Sequence, residues 1–307
     1  MPVARWYGNL LLAATVTTYL LIVMGGVVCV TGGSKGCPDW PGCYGQPVPP
    51  LRLDSIVEYT HRLLSGLASI LIIAAAVLGL WRYRAIRWVS RPPALAILFL
   101  IAVTIFGALV VLQGLPPGLA AVDLGSALAV MALVVTATVV AWARHADPPL
   151  PDSISFHEPI ARLSLLTVAG MSVVLVSGVL VAKDGSLVRC LGWPLYGGWL
   201  EPAGAHRWPG LARLLVASGT GVLLLALVVQ AWRLDPGRRA IRLTAAAMGL
   251  IFLAELATGA LISSLGPGML LLVVQVALVV ALWAMLIGLA VALALPGATI
   301  PSDRYED

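Results

Sequence analysis

Three residues near the start of one apolar segment could do chemistry together. Glu58 precedes His61 by three positions, and Arg62 follows it directly. The i, i+3 spacing puts the carboxylate and the imidazole on one face of a helix. An ionisable group inside a membrane-type segment is a functional candidate. Neutral imidazole is a common ligand for iron in helical bundles. A carboxylate at the mouth of such a bundle can take or deliver protons, whereas a solvated glutamate stabilised by the helix dipole is the plainer reading. The pair His206-Arg207 repeats the histidine-arginine pattern far downstream, with Ala203 where a second glutamate would fall.

Two further polar residues stand at a comparable depth. Asp123 lies six residues past Pro117, about 9 Å into its helix at 1.5 Å per residue, and Gln275 holds the corresponding place near the chain's end. The spacing predicts two facing pairs, His61 with Asp123 and His206 with Gln275. Glu255 sits inside an otherwise apolar run and is expected to face a bundle interior and find a partner. His145 and His157 fall in a polar linker and read as solvated.

Cysteine usage points outward. Cys37 and Cys43 flank the turn-rich Pro38-Asp39-Trp40-Pro41-Gly42. On an oxidising outer face a disulfide is favoured over two free thiols. Cys190 is alone in a second long loop. Cys29 has apolar neighbours and reads as a small buried hydrophobe.

The elements that must position these residues are membrane spans. Of 307 residues 60% are hydrophobic and 11% charged, well below the roughly 25% charge of a soluble domain. Mean hydropathy is +0.98. Apolar runs near 9–30, 55–80, 93–113, 118–142, 163–182, 207–232, 243–263 and 268–295 each approach the roughly 20 residues a span requires. The first is too long for a signal-peptide core and reads as a span. Basic residues cluster in one set of loops: Arg82, Arg84, Arg87 and Arg91, then Arg144 and Arg162, then Arg233, Arg238, Arg239 and Arg242. By the positive-inside rule that side, with both termini, is cytoplasmic, and the cysteine loop faces out. The arginines are spread over short loops, which speaks against a nucleic-acid partner. Trp81, Trp88, Trp142, Trp208 and Trp232 fit interfacial belts.

The chain also repeats itself. Gly107-Ala108-Leu109 recurs as Gly259-Ala260-Leu261, and Gly26-Val27 as Gly178-Val179, both at an offset of 152. Residues 37–41 recur in outline as Cys190-Leu191-Gly192-Trp193-Pro194. The expected fold is an all-α integral membrane protein: eight transmembrane helices as two pseudo-symmetric four-helix bundles. An N-terminal half spans 1–145, a cytoplasmic linker 146–160 and a C-terminal half 161–307. An even helix count per half makes this a parallel repeat.

With these pieces in hand, the sequence resembles the heme A synthase family. The resemblance rests on residues 25–32 (GGVVCVTG), 36–43 (GCPDWPGC) and 58–66 (EYTHRLLSG), and on the Gly114-Leu115-Pro116-Pro117 turn. In the second half it rests on residues 190–194, His206-Arg207 and Leu282-Trp283-Ala284. The resemblance implies oxidation of a porphyrin methyl group of heme O to the formyl group of heme A. It implies substrate heme in the N-terminal half and a heme b cofactor in the C-terminal half. Glu58 matches the family's essential carboxylate, and Cys37 with Cys43 its outer-loop disulfide. Arg62 and Arg207 are candidates to pair with heme propionates, against pairing with Glu58 or lipid phosphate. Candidate partners are heme O synthase, terminal-oxidase assembly factors, membrane lipid and a second copy of the chain.

The chain departs from the family pattern at several positions. The family carries four ligand histidines, and here Asp123 and Gln275 stand in place of two of them. Tyr196 replaces the second loop's cysteine partner, and Cys29 stands where arginine is common. Carboxylate and amide are harder, weaker-field ligands than imidazole, so five-coordinate or high-spin heme is expected. The alternative is a non-catalytic heme-binding or oxidase-assembly protein of the same fold. A transporter, suggested by the repeat alone, ranks last, since a discontinuous-helix site at midplane is not evident.

Overall fold

The computed structural model describes residues 2–33, 36–40, 42–46, 48–113, 116–181, 207–234 and 238–295. Eight helices occupy this span: α1 Arg5–Thr31, α2 Leu53–Arg82, α3 Arg87–Gln113, α4 Pro117–Ala146, α5 Pro159–Val181, α6 Arg207–Trp232, α7 Arg239–Leu265 and α8 Met269–Ala294. All eight are long and apolar enough to cross a membrane. The chain is a multi-pass membrane protein. Several helices outrun the apolar segments that announce them, since Arg82, Arg144, His145, Arg239 and Arg242 are helical beyond the apolar runs.

Each helix buries a stripe rather than a whole circumference. On α1 the buried positions Tyr7, Leu11, Ala14 and Thr18 follow helical spacing, while Trp6, Leu12, Val16 and Leu20 stay exposed. Such outward apolar side chains suit a lipid solvent. Hydroxyls within the spans are satisfied locally. Thr18, Thr31, Ser69, Thr104, Ser126 and Thr136 each donate to the carbonyl one turn back. This back-bonding removes the penalty of an unpaired hydroxyl in an apolar medium.

Helix adjacency forms two squares. In the first, α1 packs on α2, α2 on α3, α3 on α4 and α4 on α1, leaving α2 and α4 diagonal without a packed face between them. In the second, α5, α6, α7 and α8 repeat the same neighbour order, with α8 closing on α5. The squares meet through α1, α4, α5 and α8. Trp283 on α8 donates its indole N–H to the Leu128 carbonyl of α4 at 3.2 Å, and Tyr19 on α1 donates to the Ala277 carbonyl of α8 at 3.1 Å. Linker residues 147–158 are docked as well. Asp152 accepts from the backbone N–H groups of Arg87 at 2.7 Å and Trp88 at 3.3 Å, capping α3 from a distance in sequence. His145 falls in the last turn of α4 rather than in the linker and bonds across to the Val3 carbonyl, while His157 bonds the nearby Ser155 hydroxyl.

A tight approach between the squares lies at Gly26. A Cβ there would lie 2.4 Å from Val276 Cγ1 on α8. Val276 is branched and buried, so it has little room to give. Replacing Gly26 with isoleucine should therefore separate α1 from α8 and cost about 1–3 kcal/mol through overpacking. Gly107, also helical but with open space around its Cβ direction, should accept alanine without loss. Thermal unfolding of both variants in detergent checks this; equal midpoints would refute the tight contact.

Candidate functional site

Glu58, His61 and Arg62 all lie in the first three turns of α2, at the end of the bundle where the cysteine loop sits. Cys37 and Cys43 are joined by a disulfide, with Cα atoms 4.7 Å apart, and both are fully buried. The loop they close is built around Asp39. Its carboxylate accepts from the backbone N–H groups of Tyr44, at 2.5 Å, and Gly45, at 2.7 Å. These bonds favour the ionised form and hold the Asp39 carboxyl below the ordinary aspartate range, first through Gly45, with the Arg62 charge a smaller contribution. The loop is pinned to α2 by Ser55, whose hydroxyl donates to the Gly36 carbonyl at 2.7 Å.

Arg62 joins this loop to Glu58. Its Nε donates to Glu58 Oε1 at 3.0 Å, an i, i+4 pair in which both side chains are largely buried. Its Nη1 donates to the carbonyls of Asp39, at 2.7 Å, and Gly42, and its Nη2 reaches the Cys37 carbonyl at 3.4 Å. The guanidinium thus binds Glu58 and the loop backbone. Glu58 itself is 6% exposed.

His61 lies against α1. A Cβ at Gly25 would stand 3.2 Å from His61 Cε1, so the absent side chain leaves the space the ring uses. His61 Nδ1 is buried and has no hydrogen-bond partner. Asp123 is half-buried on α4, and its Oδ1 is likewise buried without a partner. The two helices are diagonal in the first square and both start at its loop end. His61 is about 12 Å and Asp123 about 9 Å from those starts at 1.5 Å per residue. Orphaned buried polar atoms are rare in finished structures. A ring nitrogen and a carboxylate oxygen left open in one square have the donor chemistry of iron ligands.

The second square differs. Gln275 is fully buried on α8, and its Nε2 donates to Glu255 Oε1 of α7 at 2.5 Å. Its Oε1 accepts from the Thr258 hydroxyl. Both ends of the amide are occupied, so Gln275 does not fit the role of an iron ligand. Glu255 Oε2 is buried and unpartnered. Thr258, three residues beyond Glu255, completes this network; its i+3 spacing was a signal available in the sequence. His206, Cys190, Tyr196, Gly114, Leu115 and the Arg207 side chain lie outside the described residues, so the expected His206–Gln275 pair is traced only at Gln275. A surface groove of about 510 Å³ lies on the α7 flank beside Leu256, Ala260, Ser263 and Ser264, in the second square rather than the first.

One cysteine assignment changes. Cys29, read from its apolar neighbours as a lone buried thiol, is disulfide-bonded. Flanking hydrophobicity reports burial and says nothing of a distant cysteine brought close by the fold.

Two outcomes follow from these networks. Gln275→Leu strips partners from Glu255 and Thr258 and should cost about 1–3 kcal/mol. Glu255→Gln keeps an acceptor for Gln275 Nε2 and should cost far less; equal losses on thermal unfolding would refute the network. Asp39 carries a pH dependence. Because its folded carboxyl titrates below the ordinary value near 3.9, its hold on the loop is complete above that value and is lost as pH falls through the lower folded one. Phosphine reduction of Cys37–Cys43 should accelerate in that acid range, and Asp39→Ala should show the faster rate already at neutral pH. A pH-independent rate in both proteins would remove Asp39 from the loop's stability.

Comparison with known proteins places these features in one family. The model of the cytochrome oxidase assembly protein family, COX15-CtaA, matches residues 8–296. The heme A synthase of Geobacillus kaustophilus is 28% identical over 269 residues, covering 84% of this chain and 81% of that protein. The heme A synthase of Alkalihalophilus pseudofirmus is 28% identical over 226 residues, 70% of this chain and 72% of that protein. That of Bacillus cereus is 29% identical over 212 residues, 67% and 68% of the two chains. With a match that runs through all eight helices, the chain belongs to the cytochrome oxidase assembly protein family.

Proposed function

We propose that this protein converts heme O to heme A in the membrane, with the first four-helix square as the substrate site. The observation that carries this reading is that His61 Nδ1 and Asp123 Oδ1, at similar depths in the first square, are buried and have no hydrogen-bond partner among the described residues. His61 and Asp123 are the residues that would face the iron of the substrate heme. The names of the relatives support the synthase reading over a non-catalytic assembly role.

The chemistry asks for a proton acceptor. Written as a half-reaction with oxygen formally from water, R–CH3 + H2O gives R–CHO with four protons and four electrons. Protons must leave a site that the bundle shields from bulk water. Glu58, buried beside His61 at the loop end, is the carboxylate placed to move them. Iron in the bound heme would relay those four electrons to an external oxidant. In the second square, His206 is the candidate imidazole for a heme b, but the occupied Gln275 amide does not complement it as a second ligand. Arg207 remains the candidate propionate partner there, while Arg62 is already engaged by Glu58 and the loop. The basic linker side is assigned to the cytoplasm and the disulfide loop to the outer face, on the arginine distribution.

Expression in cells that make heme O but no heme A tests the reading. Pigment extraction should show heme A with the native chain. Glu58→Gln should lower the yield by at least about 100-fold, the scale of a general acid–base contribution, while heme O still co-purifies. Folded native protein that yields no heme A would overturn the enzymatic reading.

A further inference from the structure

We propose that Arg62 is a positioning residue that couples the Cys37–Cys43 loop to the Glu58 carboxylate, so that the closed disulfide loop holds Glu58 in its working orientation. This rests on the role given to Glu58 above. The geometry is specific. One guanidinium binds the carboxylate through Nε at 3.0 Å and the loop carbonyls of Asp39, Gly42 and Cys37 through its two remaining nitrogens. Those carbonyls span one side of the disulfide ring, from the first cysteine to the residue before the second. The ring is also fixed independently, by the Asp39 carboxylate inside it and by Ser55 on α2. The loop is therefore a rigid acceptor for Arg62 rather than a pliant cover.

A planar guanidinium with donors on three nitrogens transmits orientation as well as charge. If the ring opens, the three carbonyls lose their fixed spacing. Arg62 then keeps its ion pair with Glu58 but loses the frame that fixes the direction of that pair. A loss of direction affects turnover more than substrate binding, since a reacting group held slightly out of place costs rate steeply. Lysine at 62 retains a charge for Glu58 but lacks the fork that reaches several carbonyls at once.

The test uses full-length protein in membranes of heme O-producing cells, with Arg62→Gln, Arg62→Lys, the double variant Cys37→Ser/Cys43→Ser, and each Arg62 variant combined with it. Arg62→Gln should lower kcat by about tenfold or more with KM for heme O within about twofold, and Arg62→Lys should recover part of that loss. Opening the ring alone should lower kcat similarly. Opening it in the Arg62→Gln background should change nothing further, because the coupling is already gone. Effects that multiply, or an unchanged kcat in Arg62→Gln, would overturn the proposal. Hydrogen exchange of residues 36–46 gives a readout free of activity: Arg62→Gln and Glu58→Gln should both raise exchange in the loop. If the native chain makes no heme A, the functional reading fails and exchange alone decides the coupling. If Arg62→Gln does not fold, the ring-opened variant in the Arg62→Lys background decides, and full multiplication of the two losses there refutes the coupling.

Discussion

A membrane interior offers no water to a polar atom, so each polar group in a span must be satisfied by the protein or be left unpaired at a cost of several kcal/mol. This constraint orders the whole molecule. Threonine and serine hydroxyls turn back to their own helices. The Tyr7 and Tyr19 hydroxyls and the Trp283 indole N–H donate to carbonyls on neighbouring helices and in doing so tie α1 to α2 and α8, and α8 to α4. Against that background, atoms without partners are informative. His61 Nδ1 and Asp123 Oδ1 belong to the same square, and no hydroxyl or amide among the described residues closes them.

The two squares share a helix order and differ in how they treat the same constraint. At the position on α8 that parallels Asp123 on α4, Gln275 is locked between Glu255 and Thr258. An amide can do this because it both donates and accepts, satisfying two neighbours of opposite character. Asp123 has no donor other than a proton of its own, and the helices beside it place no partner on its Oδ1. At this depth the Gln275 amide is tied at both ends, with Glu255 Oε2 still unpartnered, whereas Asp123 Oδ1 has no partner among the described residues. The two squares therefore treat matching helix positions differently: Asp123 keeps an oxygen without a partner among the described residues, whereas Gln275 ties α8 to α7.

The sequence made the spans and their order legible, because about twenty consecutive apolar residues have few other uses. It made helix ends less legible: Arg82, Arg144 and Arg239 lie beyond the apolar runs yet remain helical. The cluster of Glu58, His61 and Arg62 was visible from spacing on one helix, and so was the turn-rich cysteine loop. Long-range pairing was not visible. Arg62 carried three readings, and only the path of the loop, which brings residues 37, 39 and 42 back over α2, selects among them. Glu255 was expected to find a partner, but Gln275 lies twenty residues later on another helix and had been matched to Asp123 by its register in the repeat. Cys29 failed for the same reason, since its own neighbours carry no trace of a bond made elsewhere.

Helix α1 belongs to the first square and also packs on α8 of the second, and its two adjacent glycines show how closely. Consecutive residues on a helix point about 100° apart. Gly25 presents its bare face to the His61 ring, and Gly26 presents its own to Val276, the residue after Gln275. A side chain at either position would intrude on one square or the other. The same length of backbone thus forms a wall of the proposed substrate site and the seam against α8. A displacement of α1 at Gly25 would carry Gly26 with it and so bear on Val276, the neighbour of Gln275, and the absence of two side chains is what lets α1 lie close on both sides.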